Sequence, residues 1–211
     1  MDSKENLPLR PMKNGSIIHV VCAKETERLR YVLELLFSEL PANPIPYAVY
    51  TSANEVEERE PIIFYGLAPE RKGLYIPKAG LLEESGLERK KISVKGKGKD
   101  VKLFPMEGSE WPDFDVFSAV FWLVSRYEEY LPGPRDSHGR FAPKHSVAFK
   151  HEFLQLPIVN IWARELLNRL EALFPWLVFP PPHFDFLSTL DIDNGFKFEG
   201  KPLWRSMGGL A

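Results

Sequence analysis

The chain has 211 residues, of which 44% are hydrophobic, and this is enough for one substantial core. Its 27 lysines and arginines nearly balance 29 aspartates and glutamates, and the net charge of -2 predicts no general attraction to nucleic acid or to an anionic membrane. No apolar run approaches the ~18 residues that a membrane span needs, and residues 1–16 contain no apolar segment typical of a secretory signal, so a cytoplasmic protein is expected.

The first predicted elements are a strand and a helix. Residues 1–15 carry prolines and charges and are expected to be flexible. Residues 17–23 form an unbroken apolar run typical of a strand covered on both faces, in which the single cysteine, Cys22, is expected to be a small core residue. Apolar residues at helical spacing across residues 29–40 predict an amphipathic helix that Pro41 ends. Together they predict an α/β domain.

Shorter strands are predicted further along. Residues 41–60 read as irregular, whereas residues 61–65 and 74–76 favour strands. Residues 90–94 and 101–104 favour a hairpin, because glycines lie between two β-prone runs. The lysines of its KGKGKD tip are interpreted as solvated. A phosphate-binding loop is the alternative, but neither the Walker spacing nor G-x-G-x-x-G is present.

The middle of the chain predicts a buried helix. Residues 116–124 are apolar on nearly every side, with Asp113 or Asp115 as N-cap. The charged residues that follow could lock onto a partner such as Arg135 or Arg140, or could form a solvated last turn.

A second amphipathic helix is predicted from Pro157, in its first turn, to Phe174. Residues 175–182 are proline-rich and are expected to form a rigid connector. The loop before this helix holds three histidines whose separations of seven and six match no metal-ligand pair, which favours surface or core roles for His138, His145 and His151.

The residues with recognisable chemistry lie at 184–194, FDFLSTLDIDN. Bulky apolar residues predict a strand over 184–190, and two acids follow it, Asp191 and Asp193. If the strand continues through Asp193, both carboxylates point to one side, roughly 6 to 7 Å apart along the chain. A divalent metal would relieve their repulsion and could activate a water molecule.

Two other interpretations of the acidic pair can be compared with it. An EF-hand fails, because Gly195 and Pro202 occupy the fifth and twelfth positions, where acidic or amide ligands are needed. An acidic turn, in which Asp193 and Asn194 cap backbone amides and Gly195 supplies a left-handed bend, stays open.

Residues 188–194, STLDIDN, resemble the first motif of the NodB-type polysaccharide deacetylases, carbohydrate esterase family 4, in the variant with one residue between the two acids. The stretches FWLVSRYEEYLP, HGRFAP and STLDIDNGFKFEGK are similar to the region upstream of that motif in a group of bacterial, Bacteroidetes-like deacetylase-related proteins. That group carries an uncharacterised domain before the deacetylase barrel.

The resemblance implies a catalytic base at Asp191 and a metal ligand at Asp193. It also implies a zinc-like divalent metal and the hydrolysis of acetyl groups on a polysaccharide substrate. The family's H-x-x-x-H ligand pair does not occur in this chain. The chain is therefore expected to be inactive alone and to bind no metal tightly.

The expected architecture is an α/β fold, with a mixed sheet and flanking helices in residues 16–180, followed by the first strand of a truncated deacetylase-type (β/α) barrel in residues 181–211. The lone strand 184–190 should extend the first sheet, pair with a second copy to form a homo-oligomer, or be disordered. The alternative function is a non-catalytic carbohydrate- or protein-binding module in which the acidic turn is structural.

Overall fold

The core of the protein is a four-stranded parallel sheet. The computed structural model describes residues 16–107, 111–180, 184 and 186–189. The strands lie in the order β2-β1-β3-β4, and their bounds are Ile18–Cys22 (β1), Tyr47–Tyr50 (β2), Ile62–Tyr65 (β3) and Leu74–Ile76 (β4). Every residue of β1 and β3 is buried, which explains why both sequences are apolar except for His19 in β1.

The strand register separates two faces of this sheet. Val21 pairs with Phe64 on one face, and Cys22 pairs with Tyr65 on the other. The Tyr65 hydroxyl reaches Asp115, which begins a helix packed on its face. The opposite face carries His19, which lies near Glu60 in the segment that joins β2 to β3, and Gly73 in the segment that joins β3 to β4 lies against Ile62 and Phe64.

Five α-helices occur in the described residues. They are Glu27–Glu34 (α1), Val116–Val124 (α2), Tyr127–Tyr130 (α3), Val147–Lys150 (α4) and Ile158–Leu173 (α5). Thr26 caps α1 by accepting a hydrogen bond from Leu29 N at 3.1 Å, and a π-helical turn, Leu35–Glu39, continues this helix. The helix predicted at residues 29–40 is therefore confirmed in position but changes its hydrogen-bond pattern near its end.

A small hairpin lies beside the main sheet. Its strands, Val94–Lys95 (β5) and Lys102–Leu103 (β6), are antiparallel and shorter than predicted. Gly96 begins the tip at a φ of 78°, and a side chain there would collide with the Asp100 carbonyl. This position therefore requires glycine.

Two expectations about the sheet are wrong. The mixed sheet is instead a purely parallel sheet and a separate antiparallel pair. Strand β2 lies inside residues 41–60, which were expected to be irregular. Its four residues are only partly buried and directly follow Pro46, so they lack the long apolar run that identified β1.

The acidic residues of α3 do find partners, although neither Arg135 nor Arg140 supplies an ion pair to them. The Glu128 carboxylate accepts a hydrogen bond from Val147 N at 3.0 Å, which attaches α4 to α3. Arg135 donates instead to backbone carbonyls, and Arg140 pairs with Asp136 at 2.9 Å. The arginine partners expected for these acidic residues are therefore not the ones found, and a backbone amide of α4 takes their place at Glu128.

The predicted terminal strand is not formed by the described residues of that segment. Residues 184 and 186–189 have no strand structure and do not extend the main sheet. Phe184, Phe186 and Leu187 are between 82% and 89% exposed. Pairing with a second copy stays a prediction.

Within the described part of the chain, no helix is long and apolar enough to cross a membrane.

Candidate functional site

The carboxyl ends of the parallel strands are the first place to look for a site. In this sheet β1 is connected to β2 on one side, whereas β3 and β4 follow on the other side of β1. In parallel α/β sheets, ligands commonly bind outside the carboxyl ends of the two strands between which the order reverses, here β1 and β3. Asp115, the N-cap of α2, lies at this edge and is completely buried.

Every donor around Asp115 comes from the protein itself. Its carboxylate accepts hydrogen bonds from Ala79 N at 2.7 Å, Tyr65 Oη at 3.1 Å, Ser118 N at 2.9 Å and Ser118 Oγ at 2.6 Å. Burial raises the pKa of Asp115, and these hydrogen bonds oppose the rise. Burial also raises the pKa of Tyr65 well above its usual value. The cluster joins β3, the segment after β4 and α2, and its role is structural.

A large cleft lies elsewhere, between α5, the β5–β6 hairpin and the turn that follows α1. Its volume is about 740 Å³, which is within the usual range of ligand sites. Its apolar lining comes from four parts of the chain and includes Leu36, Leu40, Val101, Trp111, Ile161 and Leu167. We call this space the α5 cleft.

The rim of the α5 cleft carries free polar groups. Lys99, Asp100 and Asn160 line it, and their side chains have no hydrogen-bond or ion-pair partner among the described residues. Two further rim residues are already paired, Lys102 with Asp113 at 2.6 Å and Glu165 with Arg169 at 2.9 Å. As far as the described residues extend, these three side chains are therefore open to a ligand.

An aromatic cluster supports the wall of the cleft. The Arg169 guanidinium lies over the Trp111 ring, 5.6 Å from its centroid. Phe114 contacts Trp111 edge to face at 6.5 Å, and Trp162 lies 5.3 Å from Phe114. Phe114 and Trp162 are buried, whereas Trp111 is partly exposed. The partly exposed ring is thus held by its neighbours.

The hairpin tip that carries Lys99 and Asp100 is attached to the segment after α4. Gly98 N donates to the His151 carbonyl at 2.8 Å, and His151 Nδ1 lies 3.3 Å from the Gly96 carbonyl. The interpretation of these lysines as a solvated tip missed this attachment, because the two segments are far apart in sequence.

The connector leaves α5 beside the cleft. Leu177 and Phe179 are buried, and Phe179 N donates to the Glu171 carboxylate at 2.6 Å. Arg164, which lines the cleft, donates to the Pro180 carbonyl at 3.3 Å. These contacts agree with the rigid connector predicted from the prolines.

The predicted acidic pair, Asp191 and Asp193, lies outside the described residues. The three loop histidines are not assembled into a metal site, and the described ranges contain no group of three or more His, Cys, Asp or Glu side chains that could hold a metal ion. The chemistry predicted at the end of the chain therefore stays a prediction.

A buried histidine was not identified from the sequence. His19 lies in β1 and is 8% exposed; its Nε2 is 3.8 Å from Glu60, and its ring lies 5.4 Å from that of Tyr50. Its Nδ1 is buried without a hydrogen-bond partner in the described structure. Burial lowers the pKa of His19, and Glu60 opposes this effect.

The fold and the cleft define an α/β domain with a parallel sheet and a large open cavity beside α5. The chain belongs to a family of unknown function (DUF7033), whose model matches residues 18–175, from the first strand to the end of the last helix. Neither a curated protein nor a solved structure matches the chain.

Proposed function

We propose that the chain is the N-terminal part of a metal-dependent carbohydrate deacetylase-like hydrolase. Residues 16–180 act as an accessory domain, and residues 181–211 begin the catalytic domain. In that domain Asp191 serves as the base and Asp193 as a metal ligand. The resemblance of STLDIDN to the first deacetylase motif supports these roles.

The exposure of three apolar side chains is the structural observation that carries the proposal. Phe184, Phe186 and Leu187 are at least 82% exposed directly before the acidic pair. Large apolar side chains grouped in this way mark a surface that gains free energy when another structure covers it. The core of a following catalytic domain would provide that cover.

The connector supports the same arrangement. Because Leu177 and Phe179 are buried against the domain and Pro180 is bound by Arg164, the next segment starts from a fixed position. A catalytic domain joined there would be held close to the α5 cleft. A long flexible linker would not hold the catalytic domain at a fixed distance from the cleft.

The donor set of this chain fits a metal only in part. Structural and catalytic zinc sites use three or four protein ligands, whereas the motif supplies one ligand and one base. No two histidines of the chain have the H-x-x-x-H spacing that would complete the set. The 211-residue chain alone therefore does not hold a metal tightly.

Two measurements test the proposal. The DNA beyond codon 211 should encode an H-x-x-x-H pair, and a protein extended through it should release acetate from an acetylated polysaccharide. Asp191→Asn in the extended protein should abolish that activity while leaving zinc binding, whereas Asp193→Asn should weaken zinc binding itself. A stop codon directly after residue 211, or tight one-to-one zinc binding by the 211-residue chain in a calorimeter, would overturn the proposal.

A second candidate function is a non-catalytic binding module in which the acidic turn is structural. The α5 cleft favours it, because an open cavity with free polar groups on its rim suits a ligand without any catalytic group. A stop codon after residue 211 favours this candidate over the first.

A further inference from the structure

We infer that the α5 cleft is a binding site for a neutral oligosaccharide. The inference rests on the proposed function for the class of polymer, but the site is separate from the acidic pair and belongs to the accessory domain. It would hold the polymer next to the point at which the catalytic domain begins.

The wall and floor of the cleft suit the apolar faces of sugar rings. Trp111 lines the cleft and is only partly buried, while Ile161 is 38% exposed beside it. Pyranose rings present C–H groups on their faces, and these contact the electron-rich face of an aromatic ring favourably. An apolar surface supported by packed neighbours gives such a ring a fixed platform.

The rim supplies the polar part of the recognition. Asn160 provides an amide with donors and an acceptor, Asp100 provides two acceptors, and Lys99 provides donors. None of the three has a side-chain partner in the described structure. Sugar hydroxyls both donate and accept, so this mixture of free groups matches them better than it matches a purely apolar ligand.

The charge of the cleft argues against a polyanion. When the ion-pair partners of rim residues are included, the cleft has four cationic and three anionic side chains, a net charge of one positive. The cationic side chains are Lys99, Lys102, Arg164 and Arg169, and the anionic ones are Asp100, Asp113 and Glu165. Phosphate and sulfate polymers bind surfaces with a large positive excess. A neutral oligosaccharide needs no such excess.

The position of the cleft gives the inference its functional meaning. Arg164 lines the cleft and also binds the Pro180 carbonyl, so the cavity and the end of the accessory domain share one side chain. A polymer held in the cleft would be concentrated near a catalytic domain that starts at residue 181.

The test is a titration of the 211-residue chain with three neutral tetrasaccharides, built from N-acetylglucosamine, glucose and xylose, together with a sulfated heparin tetrasaccharide. Calorimetry and amide NMR shifts measure binding. We expect one neutral tetrasaccharide to bind and to shift the amides of residues 99–102 and 160–165. Asn160→Ala and Asp100→Ala should each weaken that binding by about tenfold, and Trp111→Ala should weaken it further.

Matched controls separate lost contacts from lost folding. Trp176→Ala truncates a partly exposed tryptophan outside the cleft, and Asn54→Ala truncates an exposed asparagine outside it; both should bind as the unmodified chain does. If no neutral tetrasaccharide binds, if the heparin fragment binds more tightly, or if the cleft variants bind normally, the inference is overturned. None of these results changes the expected acetate release by the extended protein, so the two proposals can fail separately.

Discussion

Two polar regions of this domain differ in how their groups are satisfied. Around Asp115 four hydrogen bonds from three residues, Tyr65, Ala79 and Ser118, converge on one buried carboxylate. On the rim of the α5 cleft, Lys99, Asp100 and Asn160 lack side-chain partners within the described structure. The first region lies where ligands of parallel α/β folds commonly bind, yet the second is the one open to a ligand.

The difference shows that burial and location alone do not identify a site. A buried carboxylate whose hydrogen bonds are all made within the protein stabilises the fold, and replacing it leaves donors without acceptors. Exposed groups without partners add little to stability and can be used in binding. Substitutions in the two regions should therefore have opposite consequences.

The largest effect is expected for Asp115→Ala. The change removes the N-cap of α2 and leaves the Ala79 amide and the Tyr65 hydroxyl buried without an acceptor. We expect the free energy of unfolding to fall by about 3 to 4 kcal/mol, measured by urea denaturation.

Asp113→Ala is the matched control for this change. Asp113 is two residues away and forms an ion pair with Lys102 nearer the surface. Its loss should cost less than about 1 kcal/mol. Equal losses for the two variants would contradict the structural role assigned to Asp115.

His19 lies between the two extremes, because it is buried but its Nδ1 has no partner in the described structure. Its pKa in the folded protein is lowered from 6.5 by burial. As pH falls below 6.5, the unfolded chain binds a proton that the folded protein does not, so the free energy of unfolding decreases until the folded pKa is reached. The added slope is at most about 1.4 kcal/mol per pH unit.

The variant His19→Gln removes this titration. Urea denaturation between pH 7.5 and pH 5 should show a steeper loss of stability in the unmodified chain than in the variant. Parallel curves would mean that His19 binds its proton equally well in the folded and unfolded states.

A smaller effect is expected for Tyr65→Phe. The change removes one hydrogen bond to Asp115 and keeps the ring, which packs 5.2 Å from Phe117. The cost should be about 1 kcal/mol in urea denaturation, because Asp115 keeps its other three donors. A loss as large as that of Asp115→Ala would show that the tyrosine hydroxyl dominates the cluster.

Much of the fold can be predicted from local patterns. The apolar run of β1, the helical spacing in α5 and the N-cap position of Asp115 are all properties of short sequence windows. Strand β2 was missed because four partly buried residues after a proline give a weak signal. The parallel arrangement depends on pairing between strands that are far apart in the sequence, and a short sequence window never includes both strands of such a pair.

The cleft could not be predicted for the same reason. Its lining combines residues from the turn that follows α1, the hairpin tip, Trp111 and α5, and extends in the sequence from Leu36 to Leu167. Nothing in the sequence around Trp111 distinguishes it from the many aromatic residues that fill a core. Asp191 and Asp193 were recognised because only one residue separates them in the sequence, and they remain outside the described residues.

The smallest effect on stability is expected for Asn160→Ala. Asn160 lies in the first turn of α5, and its side chain has no partner in the described structure, so its removal should change the free energy of unfolding by less than about 0.5 kcal/mol. The same substitution is expected to weaken oligosaccharide binding, and a single variant thus separates the two properties. A loss of stability comparable to that of Tyr65→Phe would mean that Asn160 supports the helix, and the rim of the cleft would then resemble the Asp115 cluster.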